Sequence, residues 1–168
     1  MLNIDRLDAK LLAALSRDTR VGVGELASAL GVARNTVQAR LRKMRDTKVL
    51  RGYRPDVDLA EVGIAVQAFV AVEIHQSELK SIVRALAGIP EVLEVHATTG
   101  REDLLVRVAT SSQADLQRLV EQVVSLSGVV HSNTILALTT PLPYRITPLL
   151  QSLTERSGWG RAKPPNDS

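Results

Sequence analysis

Between Arg34 and Arg54 the chain carries eight cations (Arg34, Arg40, Arg42, Lys43, Arg45, Lys48, Arg51 and Arg54) against the single acid Asp46, a local charge of +7. Charge of one sign at that density favours a polyanion, although a solvated basic helix has the same composition. Short polar groups lie among the cations, and that mixture suits duplex DNA. Asn35, Thr36, Gln38 and Arg42 are of the types that make paired hydrogen bonds to base edges in the major groove. Arg20, Arg34, Arg40, Lys43 and Arg51 are better suited to phosphates. Arg40 flanks an apolar stripe, so an ion pair with an N-terminal acid is its alternative role, and Thr36 has a packing alternative. Other chemistry is sparse. His75, His96 and His131 lie in or beside expected strands with no partner at metal or triad spacing, and there is no cysteine. No phosphate loop or dinucleotide fingerprint occurs. These absences point away from an enzyme, a metal site or a cofactor.

The basic residues need helices to present them. Leu7, Leu11, Leu12 and Leu15 recur at helical spacing behind Asn3 and Asp5, either of which can cap, which predicts a helix over residues 5–16. Glu25 to Leu30 predicts a short second helix ending at Gly31. A third follows at once, with Val37, Leu41 and Met44 as its buried stripe and Asn35, Ala39 and Arg42 roughly opposite. Three short helices, the last two joined by a tight turn and the third polar and cationic outside, describe a helix-turn-helix. Periodicity alone fits a plain three-helix bundle as well, and the basic cluster decides between them. Val49 to Val57 reads as a strand pair or wing, with Arg51, Gly52, Tyr53 and Arg54 along a phosphate backbone.

Residues 56–64 read as a linker, after which the pattern changes. Ala65 to His75 is Val- and Ala-rich and suits a buried strand. Ser77 opens a helix with Leu79, Ile82, Val83 and Leu86 inward, ended by Gly88 and Pro90. Strands follow over Glu91 to Thr98 and from Asp103, separated by Thr99-Gly100-Arg101-Glu102. Ser112 then caps a helix, with Asp115 in a near capping box and Leu116, Leu119, Val120, Val123 and Val124 inward. Gly128 precedes a last strand over Val129 to Thr139. The order is the ferredoxin-like βαββαβ arrangement, an α+β class. Its helices cover one sheet face. Either parity leaves apolar residues on the other (Val66, Val70 and Val72, or Ala65, Phe69 and Ala71), so a second subunit is expected there.

These readings divide the chain into a winged helix-turn-helix domain at 1–55, the linker at 56–64, a ferredoxin-like oligomerisation domain at 65–140, to which the resemblance given below adds effector binding, and a C-terminal extension at 141–168. In the extension Thr147-Pro148 starts a helix that Leu149, Leu150 and Leu153 can dock, while the Gly- and Pro-rich end is expected to be mobile. Trp159 is either an anchor or an exposed aromatic. With 168 residues, 45% of them hydrophobic, the chain has enough material for two small cores. Its first residues have neither the basic start nor the apolar stretch of a signal peptide, and no run approaches membrane-spanning length. Cytoplasmic, nucleoid-associated residence without a membrane partner is the expectation.

Leu7-Asp8 with Leu11-Leu12, Thr19-Arg20, Glu25-Leu26-Ala27, Gly31-Val32, Thr36-Val37 with Arg40, Val49-Leu50-Arg51-Gly52-Tyr53, and Thr99-Gly100 with Asp103 resemble, in order and spacing, the Lrp/AsnC (feast/famine) family of regulators over about 140 residues. The resemblance implies dimers joined through the C-terminal sheets, often assembled into octamers, that bind double-stranded DNA and respond to an amino acid or related metabolite. It places the effector between subunits at Thr99, Gly100 and Asp103, with Arg101 and Glu102 between them. Glycine there lets backbone N–H groups approach a carboxylate, and Asp103 can hold an ammonium; a plain hairpin glycine and turn-forming aspartate is the alternative. The chain departs from the family in three places. Arg101-Glu102 stands where an aromatic residue is common, Ala33 where serine opens the recognition helix, and Lys48 where glycine often ends it. A stand-alone metabolite sensor or an oligomerisation scaffold fits the sheet but gives no reason for a cationic third helix.

Overall fold

Asp5 starts the first helix by a reciprocal cap: its carboxylate accepts from the Asp8 backbone N–H at 3.1 Å, and the Asp8 carboxylate accepts from the Asp5 N–H at 3.3 Å. Helix α1 then runs Arg6–Arg17. The structure, a computed structural model, describes residues 3–159. It contains two units, one drawn from the chain up to Pro55 together with the stretch from Pro143, the other from Asp56–Leu142.

In the first unit α2 (Val23–Leu30) stops at Gly31, whose φ of 64° is left-handed; the Val32 N–H donates to the Ala27 carbonyl and the Gly31 N–H to that of Ser28. This Schellman turn favours a residue without a Cβ and leads directly into α3 (Arg34–Asp46). Leu7, Leu11, Leu26, Val37, Leu41 and Met44 close the core between the three helices. As Ala33 foreshadowed, α3 has no side-chain N-cap, which forgoes about 1 kcal/mol. Lys48 supplies the left-handed residue after it, at φ 57°.

Two expectations for this unit are corrected. Val49 to Val57 forms neither a strand pair nor a wing; it is an exposed, irregular stretch, anchored only where partly buried Leu50 packs on the helical core and donates its N–H to the Met44 carbonyl at 2.9 Å. Pro55 offers no N–H, and among the described residues no strand lies beside this stretch to pair with it. The C-terminal stretch, expected as an extension, is part of the helical unit. Helix α6 (Thr147–Thr154) packs along α1, and Trp159 is buried in the core of α1, α2 and α3, its ring 4.8 Å from the Lys10 ammonium. Leu149 and Leu153, expected to dock α6, are about half exposed; the residue it buries is Thr154. The expected mobile end falls on residues 160–168, outside the described residues.

The second unit is the βαββαβ arrangement. Strands β1 (Val66–Ile74), β2 (Val92–Ala97), β3 (Leu104–Thr110) and β4 (Val129–Ala137) form one antiparallel sheet in the order β2-β3-β1-β4. Helices α4 (Leu79–Ala87) and α5 (Gln113–Val124) pack Ile82, Leu86, Leu116, Leu119 and Val123 against Val70, Val72, Leu104, Val106 and Val108. Ser112 caps α5 as expected, accepting from the Asp115 N–H at 3.1 Å. Ser77 does not cap α4, because Gln76–Glu78 forms a 3-10 turn that delays the helix by one residue, to Leu79 behind Glu78. The register places Gln67, Phe69, Ala71 and Glu73 of β1 on the face opposite the helices, beside Leu105 and Arg107 of β3 and Asn133 and Ile135 of β4.

Candidate nucleic-acid interface and ligand turn

Helix α3 is amphipathic. Val37, Leu41 and Met44 are buried, so the bundle fixes its rotation and holds Asn35, Gln38 and Arg42, at i, i+3 and i+7, as one exposed row. Thr36 is half-buried at the start of the helix, its N–H donating to the Ala33 carbonyl at 2.9 Å. Arg34 and Lys43 are exposed at the two ends of the row. The Arg34 guanidinium lies over Gly24 at the start of α2, where an added Cβ would stand 3.1 Å from it, so glycine there lets the arginine lie flat. Arg20 is solvated, 3.8 Å from Asp18, and Arg51 is exposed in the irregular stretch after α3.

Arg40 is where the sequence alternatives separate. Its Nη1 is paired with Asp5 and, at 3.1 Å, with Asp8, which is 2% exposed, and its Nη2 donates to the Trp159 carbonyl at 3.4 Å. Burial works against its charge, but the hydrogen bond to Asp5 and the charges of Asp8 and Asp5 outweigh that, and its pKa is raised. The expectation of a phosphate contact therefore gives way to the ion-pair alternative: this guanidinium ties α3 to the N-cap of α1. Arg45, three residues beyond Arg42 and seven beyond Gln38, is exposed on the same helix and was not among the expected contacts.

In the sheet unit the turn from Thr99 to Asp103 joins β2 to β3. The Thr98 N–H donates to the Asp103 carbonyl at 2.9 Å and the Thr98 hydroxyl to the Glu102 carbonyl at 2.5 Å, closing the turn at its base. Thr99, Gly100 and Arg101 are exposed at its tip, and Glu102 and Asp103 are half-buried. Gly100 has a φ of 131°, which excludes most side chains, and nothing lies within 4 Å of where a Cβ would stand. The Arg101 guanidinium reaches Glu73 on β1 at 3.9 Å. Asp103 is held within its own unit: one carboxylate oxygen accepts the Ile74 N–H at 2.8 Å and the other the Gln76 side-chain amide. Gln76, 27 residues away in sequence, carried no signal that would have named it.

The three histidines form no catalytic pairing; His96 is exposed beside Glu94 at 3.3 Å. Among the described residues no group of three or more His, Cys, Asp or Glu is placed to hold a metal ion, and no helix is long and apolar enough to cross a membrane.

Comparison with known proteins agrees with both units. The AsnC-type helix-turn-helix domain matches residues 4–45, and the Lrp/AsnC ligand binding domain matches residues 67–146. The chain is similar to the HTH-type transcriptional regulator FL11 of Pyrococcus horikoshii, 28% identical over 147 residues that cover 84% of this chain and 97% of the relative. It is 31% identical over 137 residues to an uncharacterized HTH-type transcriptional regulator of Pyrococcus furiosus, covering 82% of this chain and 93% of that one. Among solved structures, Escherichia coli AsnC superposes with a TM-score of 0.80 at 28% identity, covering 88% of this chain and all of the other.

Proposed function

Because the chain belongs to the Lrp/AsnC family, which is made of DNA-binding transcriptional regulators and not enzymes, we propose that it reads duplex DNA with the exposed row of α3 and adjusts that binding to an amino acid or related metabolite held at the Thr99–Asp103 turn. The observation that carries the first half is the rotation of α3: burial of Val37, Leu41 and Met44 leaves Asn35, Gln38 and Arg42 free for base edges, with Thr36 at the helix start. Arg20, Arg34, Lys43 and Arg51 are the phosphate contacts that set register. The second half rests on the ligand-binding family of the sheet unit and on chemistry at the turn. Gly100 leaves the backbone N–H groups open to a carboxylate, and Asp103 brings a negative charge suited to an ammonium, with Arg101 and Glu102 in between. The outer sheet face, with Phe69, Leu105 and Ile135 uncovered by either helix, supports a dimer through the sheets; octamers built from such dimers rest on the family alone.

The test is binding to the promoter DNA beside the protein's own gene, over a salt series, with and without each of the twenty amino acids. Tight, salt-sensitive binding that exceeds binding to random DNA and shifts with one amino acid is expected. Arg42→Ala and Gln38→Ala should each reduce discrimination by roughly 5- to 150-fold, the equivalent of about 1–3 kcal/mol per paired base contact. Retention of full sequence preference in both variants would remove α3 as the reading element. Equal affinity for random DNA in the wild type would replace the regulator with a sensor or scaffold.

A further inference from the structure

The end of α3 holds a feature that base reading does not use. Arg45, Lys48, Leu50, Arg51, Gly52 and Tyr53 line a cleft of about 470 Å³. Three of the six residues that line it are cationic and none is acidic. No ion pair within 4 Å engages Arg45, Lys48 or Arg51 among the described residues. Tyr53 is 44% exposed and offers a phenolic donor at the same place. Like charges gathered this way repel one another unless an anion joins them.

A second observation is independent of charge. Lys48 is the only non-glycine residue with a left-handed backbone among the described residues, at φ 57°. The turn it makes is needed: the Lys48 N–H donates to the Arg45 carbonyl, and the chain doubles back so that Leu50 can bond the Met44 carbonyl and return Arg51 and Tyr53 to the side of Arg45. Glycine would make the same turn without strain. Strain kept at one position while its side chain lines a basic cleft is accounted for when that side chain has work to do there.

We propose that this cleft is a seat for a single DNA backbone phosphate, with Lys48 as its central cation and Arg45, Arg51 and the Tyr53 hydroxyl around it. The inference rests on the DNA-binding reading above and adds to it a contact at the opposite end of α3 from Asn35. A point-charge ammonium on a flexible stem suits one phosphate, and a phosphate is the anion that every duplex presents regardless of sequence. The seat therefore adds affinity and fixes how α3 lies in the groove, and it leaves base preference alone.

Lys48→Gly tests it, because that substitution relieves the backbone while removing the charge. Thermal unfolding should move up by about 2–4 °C. Affinity for the promoter duplex and for a random duplex of equal length should fall together, by roughly tenfold near 0.1 M salt, and the slope of log affinity against log salt should shrink by about 1. Lys48→Gln, which keeps the strain, should lose the same affinity with no gain in stability, and Lys48→Arg should keep the slope. A Lys48→Gly protein with unchanged affinity and salt slope would overturn the seat while leaving the regulator intact. So would a Lys48→Gln protein that binds like the wild type, since the turn and not the charge would then matter. A wild-type chain that binds no duplex would overturn both readings.

Discussion

Asp103 serves the fold and is, in the proposed function, also the partner of a ligand ammonium. Its two oxygens accept the Ile74 N–H and the Gln76 amide, which fastens the end of β1 to the β2–β3 turn, yet each oxygen has a second lone pair and the residue is only half-buried. Removing the side chain would confound two effects, whereas Asp103→Asn separates them. The asparagine oxygen can accept from Ile74, and its NH₂ can donate to Gln76 once that amide turns over, so both bonds survive and only the charge is lost. Stability within about 1 kcal/mol of wild type, with loss of the response to the amino acid identified by the DNA-binding screen, is the expected outcome of parallel denaturation and binding titrations. An unchanged response would show that Asp103 belongs to the fold alone. Arg40 was legible as a choice between phosphate and acid, but not as a decision, because the acids it meets lie 32 and 35 residues earlier. Helical periodicity describes the face on which a residue stands, and says little about which long side chain bends across a helix boundary.

Among the elements, those announced by local chemistry were legible and those set by tertiary pairing were less so. The Ser112 cap, the Gly31 turn and the apolar stripe of α3 depend on neighbours within a few residues, and all are present. The wing was not, since a strand exists only where another strand accepts its hydrogen bonds, and β-type residues from 49 to 57 carry no information about a missing partner. The start of α5 shows how much such local chemistry controls. The hydroxyl of Ser112, then that of Ser111 and the guanidinium of Arg118, hydrogen-bond the Asp115 carboxylate and lower its pKa from the ordinary 3.8 to about 2. Because the folded value lies below the unfolded one, the ionised carboxylate stabilises the fold above about pH 4, and that contribution disappears as the pH falls toward 2. Urea midpoints measured at intervals from pH 5 to pH 2 should fall more steeply for the wild type than for Asp115→Asn. Parallel curves would show that the cap does not depend on the charge.

At the scale of the whole molecule, the helix-turn-helix unit is made from both ends of the chain, and this was the least legible feature. Arg40 and Trp159 meet across 119 residues, through a stretch whose Gly-, Pro- and Ser-rich composition reads as a solvated tail. The chain therefore crosses between the two units twice, at 55–56 and again at 142–143. The second crossing follows β4 in sequence and precedes α6, which packs on α1 within the helical unit. What holds that arm is concentrated in Trp159, 9% exposed, with the Lys10 ammonium over its ring and its carbonyl on Arg40. Trp159→Ala should cost the helical unit about 3 kcal/mol through the lost burial and the cavity left in its core. In calorimetry that is a fall of roughly 10–20 °C in the transition of this unit, while amide exchange in β1 and β3 keeps its protection. Trp159→Phe, which retains most of the apolar volume, should recover more than half of the loss. An alanine variant with an unmoved transition would show that the helices close without the arm. Loss of protection in the sheet as well would show that the two units unfold as one.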